Sequence, residues 1–280
     1  MTNMQLFHDV SMECSKNVTE KYSTSFSSSI NMLGKSLRQP IFNIYGFVRF
    51  ADEIVDTFHE FDKQTLLQEF KADTYKAIER RISLNPILNS FQQTVNQFNI
   101  DISLIEAFIY SMELDLGNKK YDRNGYEQYI YGSAEVVGLM CLYVFCNGNK
   151  EQYELLKPGA RSLGAAFQKV NFLRDLKADY EGMERVYFPE CDFGNFTKKD
   201  KTSIELDIQK DFDSAYAAIL QLPLQARFGV YVAYKYYLSL FNKIKKLHPQ
   251  KIMSERVRIP DYIKALIVAK ASIRSQLNLL

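Results

Sequence analysis

The segment IYGFVRFADEIVD, Ile44 to Asp56, sets Tyr45, Arg49, Asp52 and Asp56 at steps of four, three and four. On an α-helix those residues form one stripe. Around the stripe the segment is apolar, with Ile41, Ile44, Phe47, Val48, Phe50, Ala51, Ile54 and Val55. A helix apolar on most sides is buried, so its polar stripe must face a cavity or another polar element. Two carboxylates four residues apart also repel, and desolvation raises the cost. A cation between them removes it.

Outward from this helix, the segment GAAFQKVNFLRDLKAD, Gly164 to Asp179, repeats the arrangement. Gly164, Gln168, Asn171, Asp175 and Asp179 share one face, flanked by Ala165, Phe167, Val170, Phe172, Leu173 and Leu176. Taken alone, either acidic stripe reads as a solvated or salt-bridged surface. Two of them in apolar helices, each with an arginine beside an aspartate (Arg49, Arg174), point to a built site. Mg²⁺ keeps several waters and takes one or two carboxylates plus substrate phosphate oxygens, which suits two such stripes facing each other. The expectation is a Mg²⁺-bridged diphosphate site, with Mn²⁺ as a substitute ion. A di-iron bundle would need Glu-x-x-His on two helices, and His8, His59 and His248 supply none.

The rest of the chain agrees with an all-α fold. Among 280 residues, 46% are hydrophobic and 24% charged, and only 12 Gly and 7 Pro interrupt long runs at helical spacing. Pro40 fits the first turn of a helix running to about Phe58. Further helices are expected over 63–82, 87–98, 101–117, 124–146, 151–180, 203–220, 224–247 and 260–278. Glu181 to Thr197, with Gly182, Pro189 and Gly194, reads as an irregular candidate lid. No linker or repeat divides residues 1–280, which read as a single domain.

The charge balance, 35 basic against 33 acidic residues, gives no field of the kind nucleic-acid binders use. Cys14, Cys141, Cys146 and Cys191 form no CxxC pair and read as free thiols in a reducing cytoplasm. The N-terminus carries no secretory pattern, and the longest apolar stretch, Val136 to Cys146, is too short to span a bilayer. A cytoplasmic location is expected, with no obligate protein partner. Lys243, Lys245, Lys246, Lys251, Arg256, Arg258 and Lys264, beside Ile263, Leu266 and Ile267, allow a transient contact with the inner membrane face. A solvated basic face explains the same residues equally well.

Together with YIYGSAEVVG (Tyr129 to Gly138), ERVYFP (Glu184 to Pro189), STSF (Ser23 to Phe26) and RVRIP (Arg256 to Pro260), the two acidic segments resemble, in order, the signature segments of the squalene/phytoene synthase family. The resemblance covers nearly the whole chain. It implies an isoprenoid-synthase-type helical bundle around a central cavity that binds two allylic prenyl diphosphates. One diphosphate leaves, the allylic cation alkylates the second molecule, and a cyclopropylcarbinyl diphosphate forms. A second ionisation then rearranges it to the head-to-head product.

By position, the resemblance makes Asp52, Asp56, Asn171, Asp175 and Asp179 the metal-associated residues. It sets Arg49, Tyr45, Gln168, Arg174, Tyr187 and Arg256 against the diphosphates, and Ser25, Phe26, Tyr129 and Tyr237 along the substrate channels. Four positions depart from the family pattern: Glu53 for a second adjacent Asp, Tyr22 and Thr24 for a His and a Lys, and Glu135 for a frequent Gly.

The chemistry needs no protein nucleophile, only preorganised positive charge at the leaving group and a dry wall around the cation. Phe228, Tyr231, Tyr234, Tyr237 and Phe241 lie near helical spacing and offer such a wall, or plain core. If Phe26 starts a helical turn, Ile30 lies one turn deeper in the channel and leaves room for a longer tail. The leading expectation is therefore a bacterial-type phytoene synthase using geranylgeranyl diphosphate. Alternatives are a farnesyl diphosphate-using enzyme that makes squalene, presqualene diphosphate or dehydrosqualene, and a non-catalytic assembly factor. Four retained aspartates oppose the last, because a scaffold gains nothing from costly buried charge.

Overall fold

In a computed structural model of the chain, residues 1–117, 121–182, 187–189, 196–254 and 256–277 are described, without the side chains of 177–182. Helices account for the regular structure, and no strand occurs among the described residues. In chain order they are α1 (Asn3–Tyr22), α2 (Thr24–Asn31), α3 (Lys35–Asp56), α4 (Lys63–Arg80), α5 (Pro86–Phe98), α6 (Ile102–Gly117) and α7 (Arg123–Ile130). A π-helical turn, Tyr131–Glu135, leads into α8 (Val136–Cys146). Then follow α9 (Lys150–Gly182), α10 (Lys198–Ile219), α11 (Leu224–Lys245), α12 (Pro249–Ile252) and α13 (Asp261–Gln276).

Local chemistry sets these boundaries. Asn85 caps α5 by accepting from the Ile87 and Leu88 amides, with Pro86 in the first turn. Thr197 and Asp200 form a reciprocal capping box at α10. Ser23 serves two helices: its amide bonds Thr19 O at the end of α1, and its hydroxyl accepts from Phe26 N at the start of α2.

Two expectations about α3 and α8 are corrected. Helix α3 starts at Lys35, so Pro40 sits inside it and not in its first turn. The Gly34 amide bonds Gln225 O at 2.7 Å, which fixes the chain upstream of the proline, and α3 tolerates one missing ladder bond. The apolar stretch near Cys146 is also longer than it read. Joined through the π turn, Arg123–Cys146 is 24 residues and apolar enough to cross a membrane by length and composition. Its packing against α3, α6 and α9 accounts for that apolarity.

The core is centred on Phe47 of α3, fully buried and stacked on Phe91 with centroids 3.9 Å apart, with Phe70 and Phe108 adjoining. Helix α1 joins it through hydroxyls. Ser11, Ser15 and Thr19 are its buried residues, and Ser15 Oγ meets Ser90 Oγ of α5 at 2.6 Å. Paired in this way, buried hydroxyls avoid the desolvation cost that unpaired ones carry. At the π turn, backbones press together on both sides. A Cβ at Gly132 would lie 2.5 Å from Ala107 O, and one at Gly164 would lie 2.6 Å from Ala134 O.

Candidate active site

Helices α2, α3, α6, α8, α9 and α11 enclose a cavity of about 710 Å³. Both acidic stripes open into it, with Tyr45, Arg49, Asp52 and Asp56 from α3 and Gln168, Asn171, Arg174 and Asp175 from α9. Phe26, Ile30, Tyr129, Tyr187, Tyr237 and Arg256 also line it. Ser25 does not. One residue before Phe26, it turns about 100° away on α2, and Ser23 and Ser29 present their hydroxyl-bearing residues to the cavity instead. Asp179 lies one turn beyond Asp175 on α9, but its side chain is outside the described residues, as is much of the candidate lid. Residues 181 and 182 of that segment continue α9.

Guanidinium groups compensate the carboxylates. Arg49 Nη1 lies 3.1 Å from Asp52 Oδ2, and its other nitrogen contacts Glu53. Arg174 Nε reaches both oxygens of Asp175 at 3.1 Å, and Arg256 Nε adds a contact of 2.7 Å to Asp175 Oδ1. Arg49 also sits 4.4 Å over the ring of Tyr22, so the residue in place of the family's His supplies a π face.

A divalent ion fits these residues. Asn171 Oδ1, between Gln168 and Asp175 on the stripe, is buried with no hydrogen-bond partner among the described residues. A neutral amide oxygen left bare beside carboxylates is a hard ligand in need of a cation. No three His, Cys, Asp or Glu side chains cluster tightly enough among the described residues to cage a metal alone. An ion taking remaining ligands from water and phosphate does not require a cage.

Two aromatic groups line the cavity. Phe26 packs on Tyr45 and Tyr237 at 5.8 Å, and Phe167 stacks on Tyr237 at 3.9 Å. Phe172 stacks on Tyr187 at 3.9 Å, and Tyr129 lies 5.4 Å from Tyr187. Burial pushes the Tyr45 phenol up to about 12, against the pull of Arg49. Tyr129 and Tyr237 are raised for the same reason, Tyr129 further by the Asp115 charge, while Arg174 opposes the shift at Tyr237. These phenols stay neutral, as donors and polarizable faces.

Of the aromatic row on α11, only Tyr237 lines the cavity; Tyr234 and Phe241 pack on Phe212 of α10 as core. Glu135 pairs with Arg161 Nε at 2.5 Å, a tie from the π turn to α9. Asp115, which the spacing of the stripes did not single out, lines the cavity and accepts from Tyr129 OH at 2.8 Å. The remaining wall is apolar or small, including Leu33, Val137, Gly138, Cys141, Gly159, Ala160, Ala218 and Gly229. Burial raises the Cys141 thiol to about 12, so it is an inert part of that wall.

A squalene/phytoene synthase family profile matches residues 19–201 of the chain. The chain belongs to the squalene/phytoene synthase family. Its relatives include a 4,4'-diapophytoene synthase of Staphylococcus haemolyticus (strain JCSC1435), 27% identical over 201 residues, 69% of this chain and 67% of the relative. A phytoene synthase of Arthrospira platensis is 24% identical over 295 residues, 95% of this chain and 94% of the relative. The crystal structure of a dehydrosqualene synthase in complex with ligand superposes with a TM-score of 0.85 at 20% identity, covering 98% of each chain. The fold is therefore the all-helical isoprenoid-synthase fold, and the chain is a prenyltransferase-type enzyme. Squalene/phytoene synthases of this type are generally divalent-metal dependent.

Proposed function

We propose that this enzyme joins two geranylgeranyl diphosphates head to head, through a cyclopropylcarbinyl diphosphate, to give phytoene. The observation that carries this reading is the convergence of both acidic stripes on one cavity whose remaining wall is largely apolar. Polar head and long apolar tail each find a matching surface there.

Asp52, Asp56, Asn171, Asp175 and Asp179 are the residues that would hold Mg²⁺, or Mn²⁺ in its place. The bound ion supplies positive charge to the departing diphosphate. Arg49, Arg174 and Arg256 add fixed charge beside them, and Gln168, Tyr45 and Tyr187 orient the head groups. As the C1–O bond of one substrate breaks, diphosphate leaves with the electron pair. The 2,3-double bond of the other substrate attacks C1, and loss of a proton closes the cyclopropane ring. Loss of the second diphosphate, rearrangement and loss of another proton complete phytoene without a reductant. Phe26, Phe167, Phe172, Tyr129 and Tyr237 keep water from the cations and present π faces to them.

Incubation of the purified enzyme with geranylgeranyl or farnesyl diphosphate and Mg²⁺, followed by mass analysis of extracted hydrocarbon, tests the reading. A C40 product from the longer substrate supports it. Preference for farnesyl diphosphate with a C30 product replaces it with the shorter-chain reaction.

A further inference from the structure

Residues from two helices converge on Arg49 of α3. The ring of Tyr22, the last residue of α1, lies 4.4 Å from the guanidinium carbon. Glu53, one turn further along α3, contacts one terminal nitrogen, and Asp52 Oδ2 lies 3.1 Å from the other. Tyr22 and Glu53, far apart in sequence, are two of the positions that depart from the family pattern, and both meet on this one side chain.

The three contacts differ in kind. Asp52 lines the cavity and is among the residues that would hold a divalent ion, so its carboxylate is shared between two cations once the site is loaded. Glu53 is no part of that lining, and its side chain is 12% exposed against 37% for Asp52. Salt and water screen such a sheltered pair less. Tyr22 grips by its π face. A ring over a guanidinium leaves the N–H groups at the guanidinium edge open to oxygen acceptors. One of them lacks an acceptor: Arg49 Nε is buried with no hydrogen-bond partner among the described residues. A charged donor so placed is costly until an oxygen reaches it, and a diphosphate brings oxygens.

The place of Tyr22 is itself fixed. Its neighbour Ser23 closes α1 through its amide, 2.9 Å from Thr19 O, and caps α2 through its hydroxyl. Ser23 also shares a hydrogen bond with the phenol of Tyr45, one turn before Arg49 on α3. The ring thus reaches Arg49 from a junction tied at three points.

We propose that Tyr22 and Glu53 are positioning residues that keep the Arg49 guanidinium set for the departing diphosphate when Asp52 turns to the divalent ion. The assignment rests on the proposed reaction for its chemistry and is independent of prenyl chain length.

Three measurements on the full chain test it. Modification of Arg49 by a dicarbonyl reagent, mapped by peptide mass in the metal-free protein, reads the cradle without turnover. Tyr22→Leu is expected to speed modification about fivefold, and Tyr22→Phe, which keeps the π face, to stay near wild type. Calorimetry with inorganic diphosphate and Mg²⁺ should show affinity about fivefold weaker in Tyr22→Leu and in Glu53→Ala. With whichever of geranylgeranyl and farnesyl diphosphate is turned over, both variants should lower kcat about five- to tenfold and change KM by less than about twofold. Tyr22→Phe should recover most of that rate. In an Arg49→Lys background, where flat face and fork are both gone, Tyr22→Leu should cost less than about twofold more. Tyr110→Leu, at an exposed tyrosine of α6 outside the cavity lining, should alter none of these readings. Equal losses from Tyr22→Leu in the wild-type and Arg49→Lys backgrounds overturn the proposal, and so does unchanged modification of Arg49 in Tyr22→Leu. If wild type turns over neither prenyl diphosphate, the first two measurements still decide the cradle, so its failure and that of the reaction stay distinct.

Discussion

The Tyr129 hydroxyl donates to Asp115 Oδ2 at 2.8 Å, so its proton is committed to α6 and its oxygen lone pairs are turned toward the rest of the cavity. Asp115 thus acts as a positioning residue for a phenol that faces the reacting carbons in the proposed reaction. Hydrogen bonds to charged groups contribute about 1.5–3 kcal/mol, so Asp115→Asn should lower kcat by roughly 10- to 100-fold. KM should change little, and Asp115→Glu should restore part of the rate. Unchanged kcat in the Asn variant would show that the pair only packs.

Asp52→Asn should lower product formation at saturating Mg²⁺ by at least about a hundredfold, since it removes charge from the site that stabilises the leaving group. Asp175→Asn should do the same, but with a lower thermal midpoint. Arg174 and Arg256 both bond this carboxylate, and its loss leaves two guanidinium groups facing each other. Steady-state rates with thermal melts separate the two effects; near wild-type turnover in either variant would sink the metal-site reading.

Ile30 is buried at 4% exposure and lines the cavity. Burying each further CH₂ is worth roughly 0.8 kcal/mol where space exists, and overpacking costs about 1–3 kcal/mol where it does not. Ile30→Phe should therefore shift selectivity from geranylgeranyl toward farnesyl diphosphate by about tenfold or more. Competition between the two diphosphates measures this directly, and unaltered selectivity removes Ile30 from the chain-length determinants.

Tyr45 is raised to about 12 from the ordinary 10, so its contribution to stability is complete below pH 10 and is lost as pH rises toward 12. At about 1.4 kcal/mol per unit, the loss is roughly 2–3 kcal/mol. Tyr45→Phe, which cannot ionise, should lose less stability than wild type over that interval by about that amount. Denaturant melts at pH 9.5 and 11.5 check it; parallel curves for both proteins would mean that the Tyr45 phenol ionises as readily in the folded state as in the unfolded one.

The acidic stripes were legible because each breaks an otherwise apolar helix at helical spacing, and that contrast survives without coordinates. Asp115 offers the same contrast within ISLIEAFIYSMELDLG but stands without a second carboxylate in register, so no acidic stripe announces it. Helix α1 was illegible for the opposite reason. Its buried residues are Ser11, Ser15 and Thr19, and a search for apolar periodicity passes over hydroxyls that bury themselves through hydrogen bonds. The row on α11 stayed open between wall and core because core and cavity aromatics share one spacing, and the position of α10 separates Tyr234 and Phe241 from Tyr237. Local spacing at Ser23 to Phe26 could not say which hydroxyl faces inward until the end of α1 at Ser23 had fixed the phase of α2.

The wide turn at Tyr131–Glu135 acts as a phase corrector. Tyr129, Ser133, Val137, Cys141 and Phe145 recur every fourth residue and all line the cavity. In an unbroken α-helix such a row creeps round the axis by about 40° per step, which would carry its far end away from the side where it began. A turn closed by i→i+5 bonds winds more slowly and takes back part of that creep. Deleting one residue there would restore ordinary winding yet leave Cys141 and Phe145 facing nearly the same way relative to Tyr129, because the lost residue and the tighter winding offset each other. The wide turn therefore absorbs one extra residue while the aromatic and apolar halves of this wall keep a common face.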